Sequence, residues 1–171
     1  MPRGLPAKSL QGELKQKVPF TSREQEAYLS LLRTIGALQA QVEARLKDFA
    51  LTGTQYNALR ILRGAGLEGL PCREIGERMI THDPDITRLL NRLEKRGLVE
   101  RIRAMHDHRI IYGKITASGL KLLREMDGPI DKYGREMLRH VGQEKLRQLI
   151  ELLELVRGRK SFHRRDSESA E

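Results

Sequence analysis

The residues best suited to chemistry lie on one face of a short segment, residues 84–97. At about 100° per residue on a helical wheel, this segment separates into an apolar face and a polar face. The apolar face holds Ile86, Leu89, Leu90, Leu93 and Gly97, and the polar face holds Pro84, Arg88, Asn91 and Lys95. The guanidinium of Arg88 can pair with guanine acceptors in a major groove, and the amide of Asn91 can pair with adenine. The spacing therefore predicts a helix that packs by one face and reads base-pair edges with the other.

Basic residues continue beyond this helix into a polar loop. From Arg88 to Lys114 the sequence has eight basic residues against three acidic ones, a net charge of +5. Cations at this density suit phosphate contacts, which supply most of the affinity for a duplex. The predicted DNA contacts are Pro84, Asp85, Thr87, Arg88, Asn91, Arg92 and Lys95 on the helix, and Arg101, Arg103, Asp107, His108 and Arg109 in the hairpin that follows. The main expected role of Asp85 is to cap the helix start.

Helix caps and breakers place this segment second in a helix-turn-helix. Pro71 is tolerated in a first turn and predicts the start of a helix of about two turns. Asp83 and Pro84 predict the start of the next helix, and Gly97 predicts its left-handed end. Two β-branched stretches flank the polar residues 104–109 and predict a hairpin. Helix, turn, helix and hairpin together predict a winged helix.

Long amphipathic helices are predicted on both sides of this module. Thr21 and Glu24 have the spacing of a capping box, and apolar residues then recur at helical steps as far as Phe49. Thr52 and Thr116 can cap the helices that follow. Gly128 and Pro129 predict a kink or a short break in the helix after Thr116, and a last apolar stripe runs to Val156.

The predicted fold is mainly α with a small β-hairpin wing, a winged helix-turn-helix with N- and C-terminal dimerisation helices. The apolar stripes of the outer helices exceed what one small module can cover, so a second copy is expected to bury them. The predicted segments are a flexible basic arm (1–20), a first dimerisation helix (21–50), the winged helix-turn-helix DNA-binding module (51–116), the C-terminal dimerisation helices (117–157) and a flexible tail (158–171).

Composition limits the class of partner. Across 171 residues, Lys and Arg outnumber Asp and Glu by 32 to 23, a formal charge of +9 that indicates a polyanion. With no Trp, four Tyr and three Phe, the chain has little material for stacking on single strands, so double-stranded DNA is the expected partner. No apolar run is long enough to cross a bilayer, and the N-terminus lacks a secretory signal pattern. We therefore expect a cytoplasmic protein with no membrane partner.

Three stretches resemble the MarR family of winged-helix regulators. They are Leu-Thr-Gly-Thr-Gln at 51–55, the phrase at 73–79 with its continuation at 86–99, which ends in Leu-Glu-Lys-Arg-Gly-Leu-Val, and Asp-His-Arg at 107–109 with Ile-Thr-Ala-Ser-Gly at 115–119. Together they run in family order across about residues 21–156. The resemblance implies a sequence-specific transcriptional regulator, a repressor released by a small ligand, that binds a pseudo-palindromic operator as a homodimer.

The resemblance also implies roles for individual residues. Arg109 at the wing tip would enter the minor groove, and Asp107 would orient its guanidinium by charge-assisted hydrogen bonds. His108 departs from the arginine that is frequent at that position. A small aromatic or anionic effector would bind between the dimer helices and the DNA module, where the candidate lining residues are Tyr28, Arg33, Arg60 and His140.

Three other classes of function are open to this sequence. Residues 106–108 (His-Asp-His), with His82 and Cys72 elsewhere, are the best case for a metal enzyme. A catalytic metal needs ligands that are held rigidly, and this cluster lies on a mobile loop. We therefore expect no catalysis, metal or cofactor. Cys72, the only cysteine, could instead make the protein a redox sensor, although its place beside Ile75 favours a small buried hydrophobe. A winged helix used only for protein contact is the third alternative, and the basic stretch argues against it.

Overall fold

A computed structural model describes residues 9–81, 85–105 and 107–158. The chain forms two compact units, Met1–Met126 and Asp127–Glu171. The first unit holds the helices α1 (Leu10–Glu13), α2 (Arg23–Leu46), α3 (Gly53–Ala65), α4 (Cys72–Arg78) and α5 (Ile86–Lys95), the strands β1 (Leu70–Pro71), β2 (Val99–Arg103) and β3 (Ile111–Ile115), and the start of α6 (Ala117–Leu138). Short 3-10 turns follow α2 at Lys47–Phe49 and α3 at Gly66–Glu68.

The first long helix begins one residue later than predicted. Ser22, not Thr21, is the N-cap of α2, and its hydroxyl accepts a hydrogen bond from the Gln25 N–H at 3.1 Å. The Gln25 side chain in turn accepts from the Thr21 N–H at 2.9 Å. The predicted box of Thr21 and Glu24 is therefore wrong, because Gln25 occupies the third helical position at which a side chain can reach back. Helix α1 is a further turn, inside the segment predicted to be a flexible arm.

The start of α3 confirms the cap predicted at Thr52. The Thr52 hydroxyl accepts from the Gln55 N–H at 3.2 Å, and the Gln55 side chain accepts from the Thr52 N–H at 3.0 Å, which completes a capping box. The carboxylate of Glu43 on α2 accepts a further bond from the Gly53 N–H at 2.7 Å. The junction of α2 and α3 is thus fixed by side chains on both helices.

The predicted hairpin is confirmed as part of a three-stranded antiparallel sheet of order β1-β3-β2. Its register pairs Val99 with Ile115 and Arg103 with Ile111. The two-residue strand β1 on the other side of β3 was not predicted. Gly113 in β3 lets the sheet approach the helices, because a Cβ there would lie 3.0 Å from the side chain of Ile75.

The core of the first unit lies where the helix-turn-helix meets the sheet. The apolar face predicted for the second helix is largely confirmed, because Leu89, Leu90 and Leu93 are buried. The largest fully buried side chains in other elements are Leu46, Leu59, Leu62, Ile75, Val99, Leu123 and Met126. The observed class, mostly helical with a small sheet, confirms the predicted winged helix-turn-helix.

Helix α6 begins as predicted and continues further than predicted. Thr116 accepts a hydrogen bond from the Gly119 N–H at 3.0 Å and donates one to the Gly97 carbonyl at 2.7 Å, so it joins the end of α5 to the start of α6. The break predicted at Gly128 and Pro129 is wrong, because α6 continues through Pro129 to Leu138. A proline removes one backbone donor, and at this exposed position water can replace the missing partner.

The second unit contains the end of α6, a 3-10 turn at Arg139–Val141 and the helix α7 (Gln143–Gly158). No residue of α7 is buried. Its exposed large apolar side chains are Leu149, Ile150, Leu152, Leu155 and Val156. Among the helices that the structure describes, none is both long and apolar enough to cross a membrane.

Candidate nucleic-acid interface

The predicted reading helix begins at Ile86. Asp85 is its N-cap, and one carboxylate oxygen accepts from the Arg88 N–H at 2.8 Å. The capping role expected of Asp85 is confirmed, but the helix start predicted at Asp83 and Pro84 is wrong by two residues. Pro84 itself, like Asp83 and His82, lies outside the described residues. The helix ends as predicted, because Gly97 takes a left-handed φ of 68°.

The outer face of α5 is cationic and open to solvent. Arg88, Arg92 and Lys95 are exposed, and Thr87 is exposed beside them. Asn91 differs from the prediction, because it is half-buried and its Oδ1 atom is buried without a hydrogen-bond partner. The exposed face of α5 is therefore formed by cationic side chains, and the Asn91 amide lies at its edge.

Arg88 is held at the start of the helix by the residue that caps it. Its Nε lies 3.2 Å from the second carboxylate oxygen of Asp85, and its side chain is 72% exposed. An ion pair this exposed contributes little to stability, because water and salt screen it. Arg88 is therefore available to a stronger acceptor, which would have to displace Asp85.

Arg101, predicted to contact DNA from the wing, is paired within the protein. Its Nε lies 2.7 Å from Glu94 on α5, and its backbone N–H donates to the same carboxylate at 3.2 Å. Only 26% of the Arg101 side chain is exposed. The pair lines a cleft of about 380 Å³ together with Arg88, Asn91, Arg92 and Lys95. Arg101 thus joins β2 to the reading helix, a role that its place in the sequence did not indicate.

The wing tip is shaped by hydrogen bonds to Asp107. Its carboxylate accepts from the backbone N–H of Arg109 at 2.9 Å, and its carbonyl accepts from the Ile110 N–H at 2.9 Å. The carboxylate therefore fixes the main chain of Arg109 in a turn, and the implied contact with the Arg109 guanidinium stays a prediction. His108 and Arg109 in this turn are exposed to solvent, and so is Arg103 at the end of β2.

Cys72 begins α4 and is half-buried. Burial raises the pKa of its thiol, and the nearby Arg101 guanidinium opposes this only in part. A raised pKa keeps the thiol protonated at neutral pH, which disfavours the redox-sensor alternative. Within the described ranges, no group of three His, Cys, Asp or Glu side chains could hold a metal. His106 of the predicted histidine cluster lies outside those ranges.

The four candidate ligand-binding residues are not brought together by a described contact. Arg33 forms a 3.5 Å ion pair with Glu13 and lines an open groove of about 960 Å³ between α1 and α2. Arg60 lies with its guanidinium 5.8 Å from the centre of the Tyr56 ring. Tyr28 is exposed on α2, and His140 is exposed in the second unit.

Sequence reasoning missed several residues close to the candidate interface. Ile80, before the reading helix, and Met105, near the wing tip, are among the most exposed large apolar side chains of the described residues. The place of Met105 inside a polar loop was the signal that could have found it, whereas Ile80 directly follows the apolar Met79 and gives no such signal. The bond between Glu94 and Arg101 depends on tertiary placement, so the sequence gives no signal for it either.

The MarR family model matches residues 51–110. The HTH-type transcriptional regulator FarR of Neisseria gonorrhoeae is 29% identical over 136 residues, which cover 80% of this chain and 92% of FarR. The homoprotocatechuate degradative operon repressor of Escherichia coli is 31% identical over 127 residues, 71% of this chain and 84% of the repressor.

Solved structures agree with these matches. A MarR transcription factor from Planctomyces limnophilus is 40% identical with a TM-score of 0.63, covering 80% of this chain and 99% of that one. The S. aureus MepR–DNA complex is 25% identical with a TM-score of 0.67, covering 75% of this chain and 95% of that one. NadR in complex with 4-hydroxyphenylacetate is 28% identical with a TM-score of 0.64, covering 84% of this chain and 100% of that one. The relatives named by function regulate transcription and are not enzymes. With the winged helix and its cationic face, these matches show that the chain belongs to the MarR family of transcriptional regulators.

Proposed function

We propose that the chain binds a specific sequence of double-stranded DNA and represses the genes beside it. The observation that carries this proposal is the split character of α5, whose three leucines are buried while Arg88, Arg92 and Lys95 are exposed. A helix anchored in this way can lie in a major groove with its cations toward bases and phosphates. The exposed Arg109 at the wing tip suits the negative potential of a narrow minor groove. The family member MepR was crystallised with DNA.

The proposed active form is a homodimer. It is supported by the apolar side chains that α2 and α7 expose in a single chain, among them Leu32 and Ile35 on α2 and Leu152 and Leu155 on α7. A twofold axis would let each copy cover the same surfaces of the other. Two reading helices spaced by about one turn of DNA, roughly 34 Å, would then read a pseudo-palindromic operator.

A mobility-shift titration at two salt concentrations tests the DNA-binding proposal. The probe is the duplex upstream of the protein's own gene, and the variants are Arg88→Ala and Arg109→Ala beside the wild type. We expect each to lose about 1 to 3 kcal/mol of binding free energy, and only Arg88→Ala to relax the sequence preference. Arg124→Ala, which removes an exposed cation from α6, is the matched control and should bind like the wild type.

One result would refute the assignment of α5 and the wing tip as the DNA-binding surface. If both arginine variants bound like the wild type at both salt concentrations, neither the exposed face of α5 nor the wing tip would contact the duplex. The interpretation as a winged helix for protein contact alone would then replace the proposal. Equal losses in all three variants would indicate a nonspecific effect of net charge.

The proposed release signal is a small aromatic acid. NadR was solved with 4-hydroxyphenylacetate, and the E. coli relative is named for homoprotocatechuate degradation. Arg33, one of the four candidate residues, lines the groove between α1 and α2, where a carboxylate could replace its Glu13 partner. Calorimetric titration with 4-hydroxyphenylacetate should give binding that Arg33→Ala weakens about tenfold and Arg60→Ala leaves unchanged. Equal binding by all three proteins would remove Arg33 from the site.

A further inference from the structure

Arg96 stands between the reading helix and Gly97, and its side chain contacts the end of the 3-10 turn that follows α2. One guanidinium nitrogen donates to the Ala50 carbonyl at 2.5 Å, and the other donates to the Phe49 carbonyl at 3.2 Å. The partners are 46 and 47 residues away in the chain. In the sequence, Arg96 is one of the eight basic residues between Arg88 and Lys114.

The two carbonyls are natural acceptors for an arginine. They lie at the end of the 3-10 turn that continues α2, where backbone carbonyls lack partners within the helix and carry partial negative charge. Ala50 takes a left-handed φ of 52°, which turns the chain sharply toward α3. The planar fork of a guanidinium can meet two such oxygens at once, whereas a lysine ammonium acts as a single point charge.

A second contact holds the same junction from the other side. The Glu43 carboxylate on α2 accepts from the Gly53 N–H at 2.7 Å, where an added Cβ would also lie only 2.7 Å from that oxygen. Leu51, between the two contacts, is buried, and its N–H donates to the Leu46 carbonyl at 3.1 Å. The short segment from α2 to α3 is therefore fixed at its start, middle and end.

We propose that Arg96 is a positioning residue that sets the angle of the reading helix α5 against α2 and does not itself contact DNA. This inference rests on the proposed function, because it matters for DNA only if α2 pairs two copies and α5 enters the groove. A dimer joined through α2 would then hold its two reading helices at a spacing that Arg96 helps to fix. Changes at the dimer helices would reach the DNA through the same link.

The DNA arm of the test compares Arg96→Ala with Arg96→Lys and with Lys95→Ala. Lys95 is the adjacent exposed cation on the reading face and serves as the matched control. The probe is a duplex that the wild type selects from a random pool, with versions whose half-site spacing is one base pair longer or shorter. Affinity for each version is measured over a range of salt concentrations.

The two neighbouring cations should behave differently. Lys95→Ala should lower the slope of log affinity against log salt by about one, as a lost phosphate contact does, and leave the spacing preference intact. Arg96→Ala should keep the wild-type slope, lose about three- to tenfold on the selected duplex, and discriminate less among the three spacings. Arg96→Lys, which can meet one carbonyl, should lie between Arg96→Ala and the wild type.

A second arm needs neither DNA nor a dimer. Spin labels on Gln39→Cys and Thr87→Cys, in a Cys72→Ala background and diluted with unlabelled chain, report the distance between α2 and α5 by pulsed electron resonance. The distance distribution should broaden in Arg96→Ala and narrow again in Arg96→Lys, while thermal melting checks that each variant is folded.

The outcomes separate this inference from the function on which it rests. An unchanged distance distribution, or a salt slope that falls in Arg96→Ala as it does in Lys95→Ala, overturns the positioning role. Failure of the wild type to select any duplex overturns the proposed function instead, and the distance measurement still decides whether Arg96 ties the two helices together.

Discussion

Helices α5 and α7 have similar apolar content and opposite surroundings. In α5 the three leucines of the inner face are buried against Ile75 and the other core side chains of the first unit. In α7, five large apolar side chains are exposed and none is buried. The chain alone therefore completes the packing of the reading helix and leaves α7 without cover. The first unit therefore buries the apolar face of α5 by itself, whereas a partner surface would be needed to bury the apolar face of α7.

The largest expected effect is in the core of the module. Leu90→Ala removes a fully buried side chain that lies over Gly113, and the tight packing there leaves little room for collapse. We expect a loss of about 2 to 5 kcal/mol in the free energy of unfolding, measured by urea titration with circular dichroism. Leu67→Ala, at a highly exposed leucine, should change it by less than about 0.5 kcal/mol. Equal losses would contradict the contrast between buried and exposed leucines.

The next effect concerns the other side of the comparison. Leu155→Asp places a charge on the exposed apolar face of α7, and in the proposed dimer each copy would bury that charge without a partner. We expect dimerisation to weaken about a hundredfold, roughly 3 kcal/mol, in sedimentation equilibrium, with helix content unchanged. Leu67→Asp adds the same charge at an exposed leucine outside the dimer helices. A Leu155→Asp protein as dimeric as the wild type would place the interface elsewhere.

Much of this architecture could be predicted because it depends on local chemistry. The cap at Thr52, the left-handed stop at Gly97 and the cap at Thr116 each need only residues within three positions, and all were found. The helical periodicity of apolar residues likewise identified the buried leucines of α5. Local rules failed where two candidates stood side by side, as with Thr21 and Ser22, since capping depends on which residue the backbone leaves extended.

What the sequence could not predict depends on contacts between distant elements. The partner of Arg101 is set by how β2 lies beside α5, and the partners of Arg96 by where α2 ends. An arginine in a basic stretch has the same local appearance whether it faces a phosphate or a carbonyl of its own chain. The sequence therefore predicted the position of the cationic surface well, but not which of its members are already engaged.

A smaller effect is expected at the start of the reading helix. Asp85→Ala removes the cap that accepts from the Arg88 N–H, and should cost about 1 kcal/mol in urea unfolding. Asp85→Asn is the matched control, because an asparagine caps nearly as well but lacks the charge. If the α5 face binds DNA, Asp85→Asn should also bind slightly more tightly, since it frees Arg88 and removes a charge that repels phosphate. Equal destabilisation by both variants would show that the charge, not the cap, is what matters.

The smallest effect is at Cys72, and it decides between a buried thiol and a reactive one. Because burial raises the thiol pKa in the folded chain, folding favours the protonated form. Its contribution to stability is thus complete below the ordinary thiol pKa, about 8.5, and is lost as the pH rises through the higher folded value. The free energy of unfolding should fall more steeply above pH 8.5 in the wild type than in Cys72→Ala.

For the same reason, iodoacetamide should alkylate Cys72 at pH 7.5 more slowly than it alkylates free glutathione. Arg101→Gln removes the nearby cation that opposes the shift and should slow the reaction further, whereas alkylation faster than glutathione would mean that the arginine outweighs burial, and the thiol could then act as a redox switch beside the reading helix.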